Sequence, residues 1–263
     1  MVIVQNLTMR YGSRILFHEI NLKLDRHKRY GLIGANGAGK TTFLKILSGQ
    51  INEYEGDIVV ENGLKVGVLG QNQFAYENYT IADAVLCGNK RLYDAIKEKE
   101  EIYATGDFED DAVNDRLAEL EVTCVEEDPT YEYDVNIAKV LENVGIPASQ
   151  HGELMSTLDS ADKFKVLLAQ VLFPKPDVLF LDEPTNHLDM DSIEALTVAI
   201  QKFKGSVIIV THSEELLRRV CDRLIVFTRS GAEYFDGGYD LFLEKMGWEE
   251  EEEDEGLENG GEM

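Results

Sequence analysis

The sequence predicts an α/β domain with a mostly parallel core sheet, an antiparallel β part and a helical insertion. Three observations carry this. RYGLIG, PDVLFLD and SVIIVTH are short apolar runs bounded by turn residues, as buried strands are. Helical patterns separate them, and such alternation builds parallel sheets covered on both faces. Residues 81–150 interrupt the alternation with helical periodicity and strong acidity. At 263 residues the chain suits one large domain with an inserted subdomain.

Taken in order, VIVQNLTM and RILFHEINLKL alternate apolar and polar residues, as half-buried strands do. RYGLIG leads into GANGAGKTTFLKILSG, a loop and then a helix from Thr41 to Leu47 that Gly49 stops. KVGVLGQ is a further strand ending at Gln71. IADAVLCGNKRLYDAIKEKEEIYA reads as one long amphipathic helix without caps, and helical periodicity continues through ENVGIP. DKFKVLLAQVLF, MDSIEALTVAIQKF and SEELLRRVC are helices flanking the apolar strands, and DRLIVFTRSGAEYFDG is a strand pair with a turn.

Charge is unevenly spread. The net charge is -25, and residues 249–255 are an unbroken acidic run with no Lys or Arg after residue 245. Such a run repels itself and reads as a solvated tail, expected to be disordered. Between Glu101 and Glu153 fifteen acidic residues face only Arg116 and Lys139. Direct DNA binding is not expected of such a surface, because phosphate recognition leans on Lys and Arg. No apolar run reaches the length of a membrane span, and the N-terminus lacks the pattern of a secretory signal. Cys87, Cys124 and Cys221 have no metal-ligand or paired spacing, which fits a cytoplasmic protein with reduced thiols.

The chemistry concentrates in two stretches. Gly34-Ala35-Asn36-Gly37-Ala38-Gly39-Lys40-Thr41 fits the P-loop pattern GxxxxGK[ST] at every fixed position, and Thr42 follows. Glycines let backbone N–H groups turn inward around phosphate oxygens, and the next helix begins at those phosphates. Lys40 is placed to bridge the β- and γ-phosphates of ATP, and the Thr41 hydroxyl to meet Mg²⁺. Val178-Leu-Phe-Leu-Asp182-Glu183 is a buried strand ending in two carboxylates, the Walker B arrangement. There Asp182 supports the Mg²⁺ shell and Glu183 is the candidate base for the attacking water.

GANGAGKTT, a glutamine after a strand, LDEPTNHLD and VTHS, in that order, resemble ABC ATPase domains. The NHLD tract is similar to the ABC-F branch, and RYGLIGANGAGKTTFLKILSG with KRLYDAIKEKEEIYA resembles the first ATPase domain of its YbiT-like subgroup. The resemblance covers about residues 1–246, with the insertion at 81–150 as an arm and 247–263 as the tail. It implies ATP hydrolysis with Mg²⁺, a second ABC ATPase domain as partner, and action on ribosomes. It further implies that Tyr11 stacks on adenine, that His212 touches the γ-phosphate, and that Asp189 lies at the domain interface. Gln71 would contact Mg²⁺ and the attacking water, although spacing alone leaves Gln73 open.

Two departures stand out. The family signature, close to LSGGQ, is here Leu158-Asp159-Ser160-Ala161-Asp162, which puts a carboxylate and side chains where close phosphate approach is expected. The chain also ends where a tandem protein would continue into a second domain. It is a fragment of such a protein or works with a separate chain. Rival readings are an ATPase subunit of a transporter and a nucleotide-binding module with little turnover.

Overall fold

The computed structural model describes residues 2–69, 75–106, 108–185, 188–228 and 231–247. Two antiparallel strands open the chain, β1 (Val2–Tyr11) and β2 (Arg14–Leu24), followed by β3 (Arg29–Gly34) and helix α1 (Lys40–Leu47). Next come β4 (Glu55–Val60) and β5 (Val66–Val68), then four helices: α2 (Ile81–Leu86), α3 (Lys90–Thr105), α4 (Asp111–Glu127) and α5 (Tyr133–Asn143). The remainder alternates as α6 (Ser160–Leu172), β6 (Val178–Asp182), α7 (Met190–Lys202), β7 (Ser206–Val210), α8 (Glu214–Val220), β8 (Arg223–Thr228), β9 (Gly231–Phe235) and α9 (Tyr239–Lys245).

The main sheet runs β5-β6-β7-β3-β8-β9, parallel throughout except for the last pair. A smaller antiparallel sheet, β2-β1-β4, covers one face. The two-residue period of a strand divides the core between these layers. Val178, Phe180, Ile208, Val210, Ile225 and Phe227 face the small sheet and α1. Their neighbours Leu179, Leu181, Val207, Ile209, Leu224 and Val226 face the helices. A strand buried on both faces must be apolar at every position, which explains the unbroken runs VLFLD and SVIIV.

One helix assignment is corrected. Residues 81–104 do not form a single uncapped helix. Thr80 caps α2 and Asn89 caps α3, with Cys87-Gly88-Asn89 between them. The break follows from packing against α6: a Cβ on Gly88 would stand 2.0 Å from the Gln170 carbonyl oxygen. Gln170 in turn donates from Nε2 to the Ala84 carbonyl at 2.5 Å. Close approach of the two helix backbones needs glycine there, and the chain turns at it.

Ser192, on the first turn of α7, is fully buried, and its hydroxyl has no hydrogen-bond partner among the described residues. Leu181 is equally buried but wholly apolar. Leu181→Ala should destabilise the chain by about 2–5 kcal/mol in urea unfolding. Ser192→Ala, which removes only an unmatched polar atom, should be neutral or stabilising by up to about 1 kcal/mol. A large loss on Ser192→Ala would show that its hydroxyl is bonded in solution.

Candidate functional site

Strand β3 ends at Gly34, whose φ of 138° and tight contact with β8 both demand glycine: a Cβ would lie 2.4 Å from the Phe227 carbonyl oxygen. The loop turns again at Gly37 (φ 78°) and Gly39 (φ 97°), and Gly39 packs on the Phe17 ring. Helix α1 then starts on Gly39, without any side-chain cap. Helices α2, α3, α4, α6, α7 and α8 each use a side-chain oxygen at that position. The first-turn N–H groups of α1 are thereby left to an outside acceptor, at the positive end of the helix dipole. Phe17, Phe43 and Phe227 meet edge-to-face beneath the loop at 5.5–6.2 Å and hold the small sheet, α1 and β8 together.

The Lys40 ammonium folds back under the loop, donating to the carbonyls of Gly34 at 2.8 Å and Ala35 at 3.0 Å. Burial pushes its pKa down, and the nearby Glu183 and Asp182 carboxylates oppose that push. Both acids stand at the end of β6, beside β3 across β7. Thr41 donates its hydroxyl to Asp182 Oδ1 at 2.9 Å, so two oxygen ligands suited to Mg²⁺ lie together.

Glu183 is set by an unusual backbone. Its φ is 45°, in the left-handed region that a residue with a Cβ rarely adopts, and its N–H donates to the Val210 carbonyl at 2.8 Å. This conformation aims the carboxylate toward the strand ends, where Oε1 lies 3.3 Å from His212 Nε2. Burial raises the Glu183 pKa, with His212 and Lys40 opposing the shift. Thr185 and the buried Thr211 join the two strand-end loops, their hydroxyls 3.2 Å apart. Neither threonine stands out in the sequence, although Thr185 lies two positions after Glu183 and Thr211 immediately precedes His212. A cavity of about 230 Å³ opens beside Gly34, Lys40, Thr211 and His212.

The structure thus brings Lys40, Thr41, Asp182, Glu183 and His212 to one sheet end, with Gly34, Ala35, Asn36, Gly37, Ala38, Gly39 and Thr42 on the adjoining loop and helix start. Tyr11 sits at the exposed end of β1, at 56% exposure. Gln71 and Gln73 lie outside the described residues, as do Asn186, His187 and the acidic run 249–255. Asp159 and Asp189 are both helix caps: Asp159 accepts from the Asp162 N–H at 2.8 Å at the start of α6, and Asp189 from the Ser192 N–H at 2.8 Å at the start of α7.

Comparison with known proteins points to one family. Residues 17–186 match a family model described as ABC transporter. The chain is 42% identical to the uncharacterized ABC transporter ATP-binding protein YkpA of Bacillus subtilis, over 93% of this chain and 45% of that protein. It is 38% identical to the probable ATP-binding protein YbiT of Escherichia coli O157:H7, over 92% and 46%. The energy-dependent translational throttle protein EttA of Mycobacterium tuberculosis shares 29%, over 89% and 42%. The chain therefore spans less than half the length of these relatives. A solved structure of the ATP-binding subunit of an ABC transporter has the same fold at a TM-score of 0.68 and 18% identity, covering 94% of this chain and 93% of that one.

The raised pKa of Glu183 fixes a sign. Its ionised form is disfavoured in the folded chain, so it costs stability at neutral pH. That cost fades as pH falls through the raised value toward the ordinary carboxylate range near 4. Glu183→Gln should therefore raise the unfolding temperature of the nucleotide-free chain at pH 7.5, and the gain should shrink toward pH 4.5. Calorimetry at both pH values checks this. A lower unfolding temperature at pH 7.5 would mean that Lys40 and His212 outweigh burial.

Proposed function

This chain belongs to the ABC ATP-binding cassette family and is a YbiT-like member of its ABC-F branch, and from that premise we propose that it binds and hydrolyses ATP to drive a cycle of domain closure during translation. The arrangement that carries the reading is Lys40 and Thr41 on the phosphate loop, facing Asp182 and Glu183 across the end of the parallel sheet. The ATP phosphates would rest on N–H groups of residues 35–42, and the Lys40 ammonium would exchange two backbone carbonyls for phosphate oxygens. Glu183, with a pKa already raised, would take a proton from the attacking water. His212, within reach of that carboxylate, would orient the water and the γ-phosphate. When Mg²⁺ is bound, Thr41 and Asp182 would hold it, and it supplies charge neutralisation for in-line phosphoryl transfer. Tyr11 is assigned to the adenine side and Gln71 to the water and Mg²⁺ side on the strength of the resemblance.

The partner in this reading is a second ABC ATPase domain, on the same or another chain. Translation is supported by the likeness to EttA, whose name states a role in throttling translation. No described helix is long and apolar enough to cross a membrane. Cytoplasmic placement is part of the proposal. One observation favours a second reading, a nucleotide module with slow turnover. The N-terminus of α6 is occupied by its own Asp159 carboxylate, whereas the resemblance calls for an open, glycine-rich helix start facing the partner's nucleotide.

Turnover of ATP by the purified chain, measured over a concentration series with and without ribosomes, tests the proposal. Lys40→Ala should weaken binding of a fluorescent ATP analogue by about 10–100-fold, the worth of a charge-assisted contact. Glu183→Gln should keep that affinity and abolish turnover, because an amide cannot accept the proton. Undiminished hydrolysis by Glu183→Gln would remove the carboxylate from the reaction. Undiminished affinity in Lys40→Ala would remove the loop from the nucleotide site.

The Asp159 cap yields a separate expectation. In a pair of identical chains each γ-phosphate would face a carboxylate, and two unit charges 4 Å apart repel by about 4 kcal/mol at an effective dielectric near 20. The chain should stay monomeric in sedimentation with saturating Mg-ATP. The triple change Asp159→Ser, Ser160→Gly, Ala161→Gly, in a Glu183→Gln background, should bring on an ATP-dependent dimer. A tight dimer of the unmodified chain would contradict the repulsion argument.

A further inference from the structure

A second cavity, of about 280 Å³, lies in the helical insertion between α3 and α4 and under the turn into α5, and shares no lining residue with the cavity at the phosphate loop. Its floor is apolar, made by the buried Leu92, Ile96 and Cys124. Its walls include three tyrosines, Tyr103, Tyr131 and Tyr133. Tyr103 stacks on Phe108 at 6.2 Å, and both rings are largely exposed. Tyr131 holds a left-handed backbone (φ 55°), and its hydroxyl donates to Glu121 Oε1 at 2.5 Å, which fixes the ring at the mouth. The volume lies just below that of typical small-molecule pockets, so it suits one slim group and not a drug-sized ligand.

The charges select the sign of that group. Lys99, on the wall, is already matched by an ion pair with Glu121, and Glu100 shares Lys97 with Asp83, each at 3.0 Å. Asp128 differs. Among the described residues its carboxylate accepts only from neutral donors, the Tyr133 N–H at 2.8 Å and the Thr130 hydroxyl at 3.2 Å. One negative charge at an aromatic-lined, half-buried site is therefore uncompensated, within a stretch already rich in acidic residues. Aromatic rings attract cations through their electron-rich faces, and the attraction grows as water is excluded. An anion would meet Asp128 and Glu121 without an unmatched cation to hold it.

We propose that this cavity binds an organic cation, a guanidinium or alkylammonium group seated among Tyr103, Tyr131 and Tyr133 beside Asp128. The group comes either from a free small molecule or from an arginine or lysine side chain of a basic polypeptide, and the same chemistry serves both. The inference stands apart from the nucleotide site and holds whether or not the chain hydrolyses ATP.

The test uses the full chain and three probes: N-acetyl-arginine amide, its uncharged isostere N-acetyl-citrulline amide, and a Gly/Ser peptide with one central arginine. Titrations followed by calorimetry and by tyrosine ring resonances should show saturable one-to-one binding of both arginine probes and none of the citrulline probe. Tyr103→Ala and Asp128→Asn should each weaken binding roughly fivefold, while Tyr103→Phe, which keeps the ring, should bind as the parent does. Circular dichroism and ATP-analogue binding should be unchanged in all three variants, since no residue of the phosphate loop lines this cavity. Tighter binding of the peptide than of the amino-acid amide assigns the ligand to a polypeptide, and equal binding assigns it to a free cation. Equal binding of the citrulline probe, or indifference to both Tyr103→Ala and Asp128→Asn, would overturn the proposal.

Discussion

An ammonium buried at the end of a parallel sheet is the constraint on which the rest of the site depends. Lys40 is almost fully enclosed, and it is satisfied by backbone carbonyls of its own loop rather than by a close acid. Burying a charge in this way costs stability unless the surroundings are fixed in advance. The fixing is visible: glycines that no other residue can replace at φ 138° and 97°, an aromatic trio under the loop, and two strands feeding the same sheet end. Glu183 lies under the same constraint with the opposite sign, held in a rare backbone conformation and kept from ionising freely by burial. In the proposed reading, the ligand that answers both charges brings negative phosphates together with a metal cation.

The two halves of the site are unequal in this chain. The loop before α1 leaves its helix start uncapped, and the turn before α6 closes its own with Asp159. Backbone N–H groups at a helix start attract any nearby anion, and a carboxylate two bonds from the main chain is the nearest one available. In the proposed reading the chain holds a nucleotide on its own loop and pairs with a cassette domain that differs from it, since the start of α6 is already occupied by its own carboxylate.

Much of this was legible in the sequence, for physical reasons that can be named. Strands buried on both faces must be apolar throughout, so VLFLD and SVIIV announced a parallel sheet. The phosphate loop announced itself because few other tasks need three glycines and a lysine at that spacing. Other features are tertiary and left no local trace. The break at Gly88 is imposed by Gln170, which is 82 positions later in the chain, so 81–104 read as one helix. The left-handed turn at Glu183 and the Thr185–Thr211 contact depend on two loops meeting, and neither motif declares them. The capping role of Asp159 was open to a sequence reading, since an acid just before a helix is a common cap.

Hydrogen exchange of backbone amides with and without Mg-ATP tests the central claim most directly, because it reads the loop and the acids without relying on turnover. The account predicts that Mg-ATP slows exchange strongly across residues 35–43, and also at the strand end around Asp182 and Glu183, while the α3–α4 cavity is unaffected. Binding of Mg-ATP that leaves the amides of residues 35–43 unprotected would contradict it, whatever the chain's hydrolytic rate.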